Sequence, residues 1–267
     1  MNGLSFGPVE LAVAAGLVLA NAGASLVWHL GYHRSLIVAA LRMVLQLVLV
    51  GFVLRFVFNS PNPLISLAVI VVMLSAATIE VGARQKARLA GPWHFAVAGI
   101  AVSGATTLVC AFALATVAGR TDWTSAATIV PIFGIVLGSA MNAASIGLNT
   151  IFDGVSTDRS GIEAQLALGR SRKEAMATSV GRAVHAGTIP ILNQMAGAGL
   201  ITLPGIMSGQ VLSGVDPLKA AEAQIFLMFL LSAASVASVV VAVHLAFWRL
   251  TDQRDRLRLD RLHAHKI

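Results

Sequence analysis

The sequence predicts an all-α polytopic membrane protein of about seven transmembrane helices, with its N-terminus outside and its C-terminus in the cytoplasm. Three observations predict it. Hydrophobic residues make up 57% of the chain and charged residues 12%, against about 25% charged in a soluble globular domain. Apolar runs long enough to span a membrane recur, and a hydrocarbon core ~30 Å thick takes about 20 residues of helix to cross. Lys and Arg crowd into alternate connections. Only helices and closed barrels satisfy every backbone group in lipid. Runs continuous in Leu, Val and Ala, without an inside–outside alternation, are helices.

The runs place spans at residues 8–30, 36–58, 63–83, 93–118, 124–150, 186–206 and 224–248. Residues 1–10 before and into the first run carry no Lys or Arg, so it reads as a span and not as a cleavable leader. The second run holds Arg42, the one basic residue well inside an apolar stretch, with Gln46 one turn on along the same face. An intramembrane charge costs at least about 2.5–3.5 kcal/mol, so Arg42 either faces protein or a water path, or snorkels to headgroups. Glu80 and Arg84 close the third run as an i, i+4 ion pair. The single cysteine, Cys110, sits in the fourth run and excludes an intrachain disulfide. Gly134 and Gly138, and again Gly205 and Gly209, have the small-xxx-small spacing that lets helices approach within the chain or across a homodimer. The sixth run carries Pro190, Pro204, Gly187, Gly197, Gly199 and Gly205 and is the one expected to break.

Orientation follows from the basic residues. Arg34, the group around Arg84, Lys86 and Arg88, the group from Arg159 to Arg182, and the tail from Arg249 to Lys266 put fifteen Lys and Arg on one side. Arg120, Lys219 and Arg55 make three on the other. That bias marks the first side as cytoplasmic. It also accounts for the net charge of +7 without a nucleic-acid partner. No internal repeat or linker divides the chain, which reads as one membrane domain over residues 1–267 with a cytoplasmic loop at about 153–182.

That loop is the one long polar segment between spans. Within it, residues 161–169 read as a short amphipathic helix, with Ile162, Leu166 and Gly169 on one face. Asp158 or Ser160 can cap its start and Glu163 suits a helix N-terminus. Gly169 can end it in the left-handed region, with Arg170 at the negative end of the dipole. A second helix is expected from Arg172 to His185, leading back into the bilayer. Such a helix is either a solvated connector or a docking element for a cytoplasmic partner. The chain has no Gly-Lys-Ser or Gly-Lys-Thr, so it lacks the loop that cradles nucleotide phosphates.

Glu163-Ala164, followed by Gly169, resembles the EAA loop of ABC-transporter permeases. A second stretch is more specific: Pro190-Ile191-Leu192-Asn193-Gln194-Met195, then Leu203-Pro204-Gly205-Ile206-Met207-Ser208-Gly209-Gln210, then Gly214, Pro217, Gln224 and Met228-Phe229. With Ala40-Leu41-Arg42 and Gln46-Leu47, and with Pro131, Gly134, Gly138, Met141-Asn142 and Asn149, it resembles the FetB-type permeases, a bacterial iron-exporter family related to plant aluminium-tolerance permeases. Ser208 stands where threonine is common and Gln194 where serine is common.

The resemblance implies the membrane subunit of an ABC transporter in a bacterial inner membrane. It implies a homodimer that moves iron or another metal ion outward by alternating access. It implies no catalytic residues and no cofactor on this chain, with ATP and Mg bound by a separate ATPase subunit. ATPase coupling would fall to Glu163, Ala164, Leu166, Gly169 and Arg170. The candidate substrate path is Arg42, Gln46, Asn142, Asn193, Met195, Met207 and Gln210. Amide oxygens are hard ligands and thioethers soft ones, enough for a transient path. The competing reading of these residues is interhelical hydrogen bonding and gap filling. No spacing marks a tight metal site; His29 with His33, and His263 with His265, are each two ligands of an incomplete set. A proton- or sodium-coupled carrier would usually need a carboxylate near the middle of a span, and none is present.

Overall fold

The computed structural model describes residues 7–58, 62–117 and 125–264. Among them, six helices are long and apolar enough to cross a membrane. Arg120, His265 and Lys266 lie outside the described residues, as do the far end of the expected fourth span and the start of the fifth. The chain divides into two compact units, Met1–Asn62 and Pro63–Ile267.

The first unit is a helical hairpin, α1 (Pro8–Val27) and α2 (His33–Phe58). α1 begins with Pro8 at its first position, where the missing N–H costs nothing. It ends three residues short of expectation because His29 (φ 52°) and Gly31 (φ 78°) both enter the left-handed region. The buried Ser25 hydroxyl accepts from the Tyr32 backbone N–H at 3.2 Å and closes the turn. His29 therefore sits in a turn and shares no helix face with His33, which removes the i, i+4 histidine pair.

The second unit holds α3 (Pro63–Ala83), a short strand β1 (Ala87–Leu89), α4 (Trp93–Val117), α5 (Ala126–Thr157), α6 (Arg159–Ala167), α7 (Arg172–Gly197), α8 (Gly205–Leu212), α9 (Pro217–Leu250) and a final strand β2 (Leu262–Ala264). Its centre is a bundle of small residues. Ala140 and Ala144 of α5, Ala98 and Ala101 of α4, Ala183 of α7, and Ala234, Ala242 and Ala246 of α9 are all buried. Small side chains let backbones close up, and dispersion replaces a hydrophobic drive that lipid cannot supply. The tightest point is where α5, α7 and α9 meet. A Cβ on Gly187 would lie 2.7 Å from the Ala143 carbonyl oxygen and 2.5 Å from a Val239 methyl, and one on Gly147 would lie 2.5 Å from the same Val239 methyl. A Ser139–Ser235 hydrogen bond of 2.7 Å joins α5 to α9 nearby.

Three expected boundaries move. α5 runs on to Thr157, and its 32 residues extend about 48 Å, well past the hydrocarbon thickness. α9 starts at Pro217, seven residues before the expected span, because Asp216 caps it by accepting from the N–H groups of Leu218 (3.0 Å) and Lys219 (3.2 Å). The segment expected as a sixth span at 186–206 is the end of a longer helix followed by a break. α7 is continuous from Arg172, without a stop at His185, and carries Pro190 inside it. It stops at Gly197, where Gly199 (φ 82°) turns the chain. Gly199 donates to the Thr202 carbonyl at 2.9 Å before α8 begins after Pro204.

Candidate coupling corner and permeation face

The ends of α3, α5 and α9 and the starts of α4, α6 and α7 meet at one end of the second unit, the end that carries most of its basic residues. Asp158 is the shared end residue of α5 and α6: its N–H donates to the Gly154 carbonyl at 3.0 Å and its carbonyl accepts from Ile162 at 3.0 Å, but its side chain makes no capping hydrogen bond. No linker separates the two helices. α6 starts and ends two residues earlier than the sequence suggested. Gly169 takes the left-handed conformation (φ 85°) just beyond it, as its position predicts.

The α6 faces separate cleanly. Ile162 is 1% exposed in the core and Leu166 packs partly against it. Glu163, Ala164, Ala167 and Arg170 are exposed, and Leu168 at the tip is 83% exposed. Glu163 pairs with Arg159 at 2.9 Å, and Arg170 donates to Gln165 Oε1 at 3.1 Å. Of the five candidate coupling residues, Glu163, Ala164, Gly169 and Arg170 therefore face outward and Leu166 anchors the helix. Leu168, the exposed apolar side chain between them, belongs to the same outward surface, and its signal in the sequence is a leucine just before a terminating glycine. Ser171 then opens α7 with a capping box. Its backbone N–H donates to Glu174 Oε2 at 2.9 Å, while its hydroxyl accepts from the Glu174 N–H at 3.4 Å. The Ser171 backbone and hydroxyl donors hold the Glu174 carboxyl below its ordinary pKa.

The path candidate Asn142 shares one stripe of α5 with Pro131, Ile135, Gly138, Asn149 and Asp153 by i+3, i+4 and i+7 steps. Asn142 is exposed, and nothing lies within 4 Å of a Cβ placed on Gly138. At the opposite end of the unit this stripe enters a cavity of about 380 Å³, where Pro131 and Ile135 meet Gln210 of α8 and Phe226, Leu227 and Leu230 of α9. Gln210 Oε1 is buried there with no hydrogen-bond partner among the described residues. Pro131 in that wall has no N–H to give the Ala127 carbonyl. Asn193 and Met195 lie exposed on the last turns of α7, and Met207 is half-buried on α8. Arg42 and Gln46 stay one turn apart on α2 and belong to the first unit. Among the described residues, no three His, Cys, Asp or Glu side chains come together as a metal site.

Two residues of the sequence motifs have structural contacts. Asn149 Oδ1 accepts from the Lys86 backbone N–H at 3.1 Å and fixes the α3–α4 connection to α5. Met228 is buried in the core. Glu80 and Arg84 form the expected ion pair at 2.9 Å. Of the four packing glycines, Gly134 meets Met73 of α3, while Gly138, Gly205 and Gly209 face open space.

Residues 251–264, beyond α9, fold back onto the unit, although their hydropathy does not mark them as structured. Leu257, Leu259 and Leu262 pack on the core, and β2 pairs antiparallel with β1 through Ala87–Ala264, Arg88–His263 and Leu89–Leu262. Three leucines spaced among arginines were the available signal.

These features define a multi-pass α-helical membrane protein. The chain belongs to the family described as uncharacterised protein family UPF0014, whose model matches residues 8–250. It is 31% identical over 245 residues to UPF0014 membrane protein slr1647 of Synechocystis, covering 90% of this chain and 92% of that one. It is 27% identical to the probable iron export permease protein FetB of Escherichia coli, covering 98% and 99%. It is 29% identical to protein ALUMINUM SENSITIVE 3 of Arabidopsis thaliana, covering 90% and 86%. No solved structure matches the chain.

Proposed function

We propose that this chain is the membrane subunit of an ABC exporter in a bacterial inner membrane. Two copies would work with two cytoplasmic ATPase subunits to move iron or a related metal ion outward. The observation that carries the reading is the α5–α6–α7 corner: a short helix anchored by Ile162, joined to α5 without a linker, and offering Glu163, Ala164, Ala167 and Leu168 outward. A groove on the ATPase would receive that face. Nucleotide-driven closure would then tilt α5 and α7 together and alternate access along the α5 stripe. ATP and Mg would be held by the ATPase. The iron assignment rests on the full-length similarity to FetB. The orientation follows the charge bias, with the basic end in the cytoplasm.

A second cargo class is favoured by one observation. The cavity between α5, α8 and α9 is walled mostly by Ile, Leu and Phe, which suits an organic cargo better than a bare cation.

The test is ATP-dependent iron uptake into inverted vesicles that hold this chain with the ATPase encoded beside it. The proposal expects uptake that disappears with Glu163→Lys. An assembled complex that takes up no iron with ATP would sink the iron assignment.

A further inference from the structure

The polar tail after α9 touches three separate parts of the basic end. At α9 itself, the Arg258 N–H donates to the Leu250 carbonyl at 2.8 Å and Arg261 Nη1 to the Arg249 carbonyl at 3.0 Å. Across the end, β2 pairs with β1, and the Arg261 carbonyl accepts from the Ala90 N–H at 2.8 Å. At the α6–α7 corner, Asp255 Oδ1 accepts from the Arg172 backbone N–H at 3.1 Å, and Arg172 Nη1 donates to the Asp252 carbonyl at 3.0 Å.

The tail is stiff between those points. Asp252 Oδ1 accepts from the N–H groups of Arg254 and Arg256, each at 3.0 Å, and its Oδ2 accepts from Arg256 Nε at 3.0 Å. Partial burial raises the Asp252 carboxyl, but these donors outweigh it and leave it ionised below its ordinary pKa. Arg258 forks onto Asp260 at 2.9 and 2.8 Å. Lys86, beside β1, is tied in turn to Asn149 of α5.

Arg172 lies two residues beyond Arg170 at the exit of the coupling corner, and it is the corner's link to the tail. We infer that Arg172, Asp252 and Asp255 are positioning residues and that the tail is a strut. It carries displacement of the α6–α7 corner across to the α3–α4 connection, so that α3 and α4 move with α5 and α7. α6 touches α5 and α7. Without the strut, a push on α6 would reach the β1 connection only through packed helices, by α5 or by α7 and α9 to α4. This inference rests on the proposed ATPase coupling.

Two experiments test it, one of them without the ATPase. In the purified chain, Asp255→Ala should speed hydrogen exchange at the Ala90 amide roughly tenfold, as expected when a remote tie of about one hydrogen bond is lost. Unchanged exchange would overturn the mechanical link. In the reconstituted complex, a chain ended after Leu250, and Asp255→Ala as the milder variant, should lower iron moved per ATP hydrolysed about fivefold or more. The ATPase should still co-purify and hydrolyse ATP. Arg88→Cys with His263→Cys, which are Cα partners across the two strands, should form a disulfide and keep transport, because a strut moves with the connection it braces. The one native cysteine is buried in α4 and should not interfere. Normal transport per ATP in the shortened chain would overturn the strut. Transport blocked by the disulfide would mean that the tail must detach, and would also overturn it. A wild-type complex that couples no ATP to transport would remove the ABC reading, and the strut with it, whatever the exchange result.

Discussion

At the basic end of the second unit, loops are held by hydrogen bonds between residues far apart in sequence; at the opposite end, the described connection between α7 and α8 has local ones. Lys86 is tied to Asn149, Arg172 to Asp252 and Asp255, and Ala90 to Arg261. Around the α7–α8 break, the described hydrogen bonds are local ones such as Gly199 to Thr202. Leu200 and Ile201 there are 90% and 84% exposed. The difference suits a machine driven from one side. Under the proposed coupling, the driven end would transmit force as one body, while the other would change shape around a cargo. Between them, the junction at Gly147, Gly187 and Val239 joins three helices with no spare volume.

Breaking that junction should have the largest effect on stability. Gly187→Leu places atoms where the Ala143 carbonyl and Val239 already are, and should cost about 3 kcal/mol or more and sharply reduce folded protein in detergent thermal scans. Gly138→Ala, which meets nothing, is the contrast and should gain up to about 1 kcal/mol of helix propensity. At the basic end, Leu168→Asp should weaken ATPase co-purification about tenfold while leaving the thermal midpoint of the permease alone unchanged. Asn149→Ala removes the acceptor for the Lys86 N–H and should cost about 1 kcal/mol, seen as faster exchange in the α3–α4 connection.

The smallest expected effect is on pH dependence. The Arg258 guanidinium holds the Asp260 carboxyl at about 2, below its ordinary value. A depressed carboxylate stabilises the fold above the ordinary carboxylate range and loses that contribution as pH falls through about 2. Pepsin should therefore cut near Leu257 and Leu259 slowly at pH 4 and faster as the pH approaches 2. Equal rates at both, after correction with a model substrate, would mean that the fork does not order the tail.

The membrane helices were legible because twenty apolar residues leave few alternatives. Their ends were not, because they lie in polar sequence. α7 begins at Ser171 in the basic loop, where a capping box outweighs the low hydropathy of Arg172, Lys173 and Glu174. α9 begins at Asp216-Pro217, a start signal that Lys219 and Glu222 hide from any apolar window. The α6 helix could be read from Ile162 and Leu166, whose spacing marks its buried face. Its exposed tip at Leu168 could not be ranked without knowing which leucine the core takes. Glycine spacing picked out Gly134, Gly138, Gly205 and Gly209, yet tight packing depends on what stands opposite. Gly147 and Gly187 face Val239 from two different helices and form no local pattern. The tail was hidden by its charges, which read as an orientation signal and also make the ion pairs that fold it.

The claim that force enters at α6 is tested most directly by cross-linking from each end of the second unit. Leu168→Cys and Leu200→Cys, each carrying a short maleimide photo-cross-linker, would be compared in the complex assembled with the neighbouring ATPase. The account predicts that Leu168→Cys captures the ATPase and that Leu200→Cys does not. Failure of Leu168→Cys to capture it, in a complex shown to be intact, would contradict α6 as the point of entry.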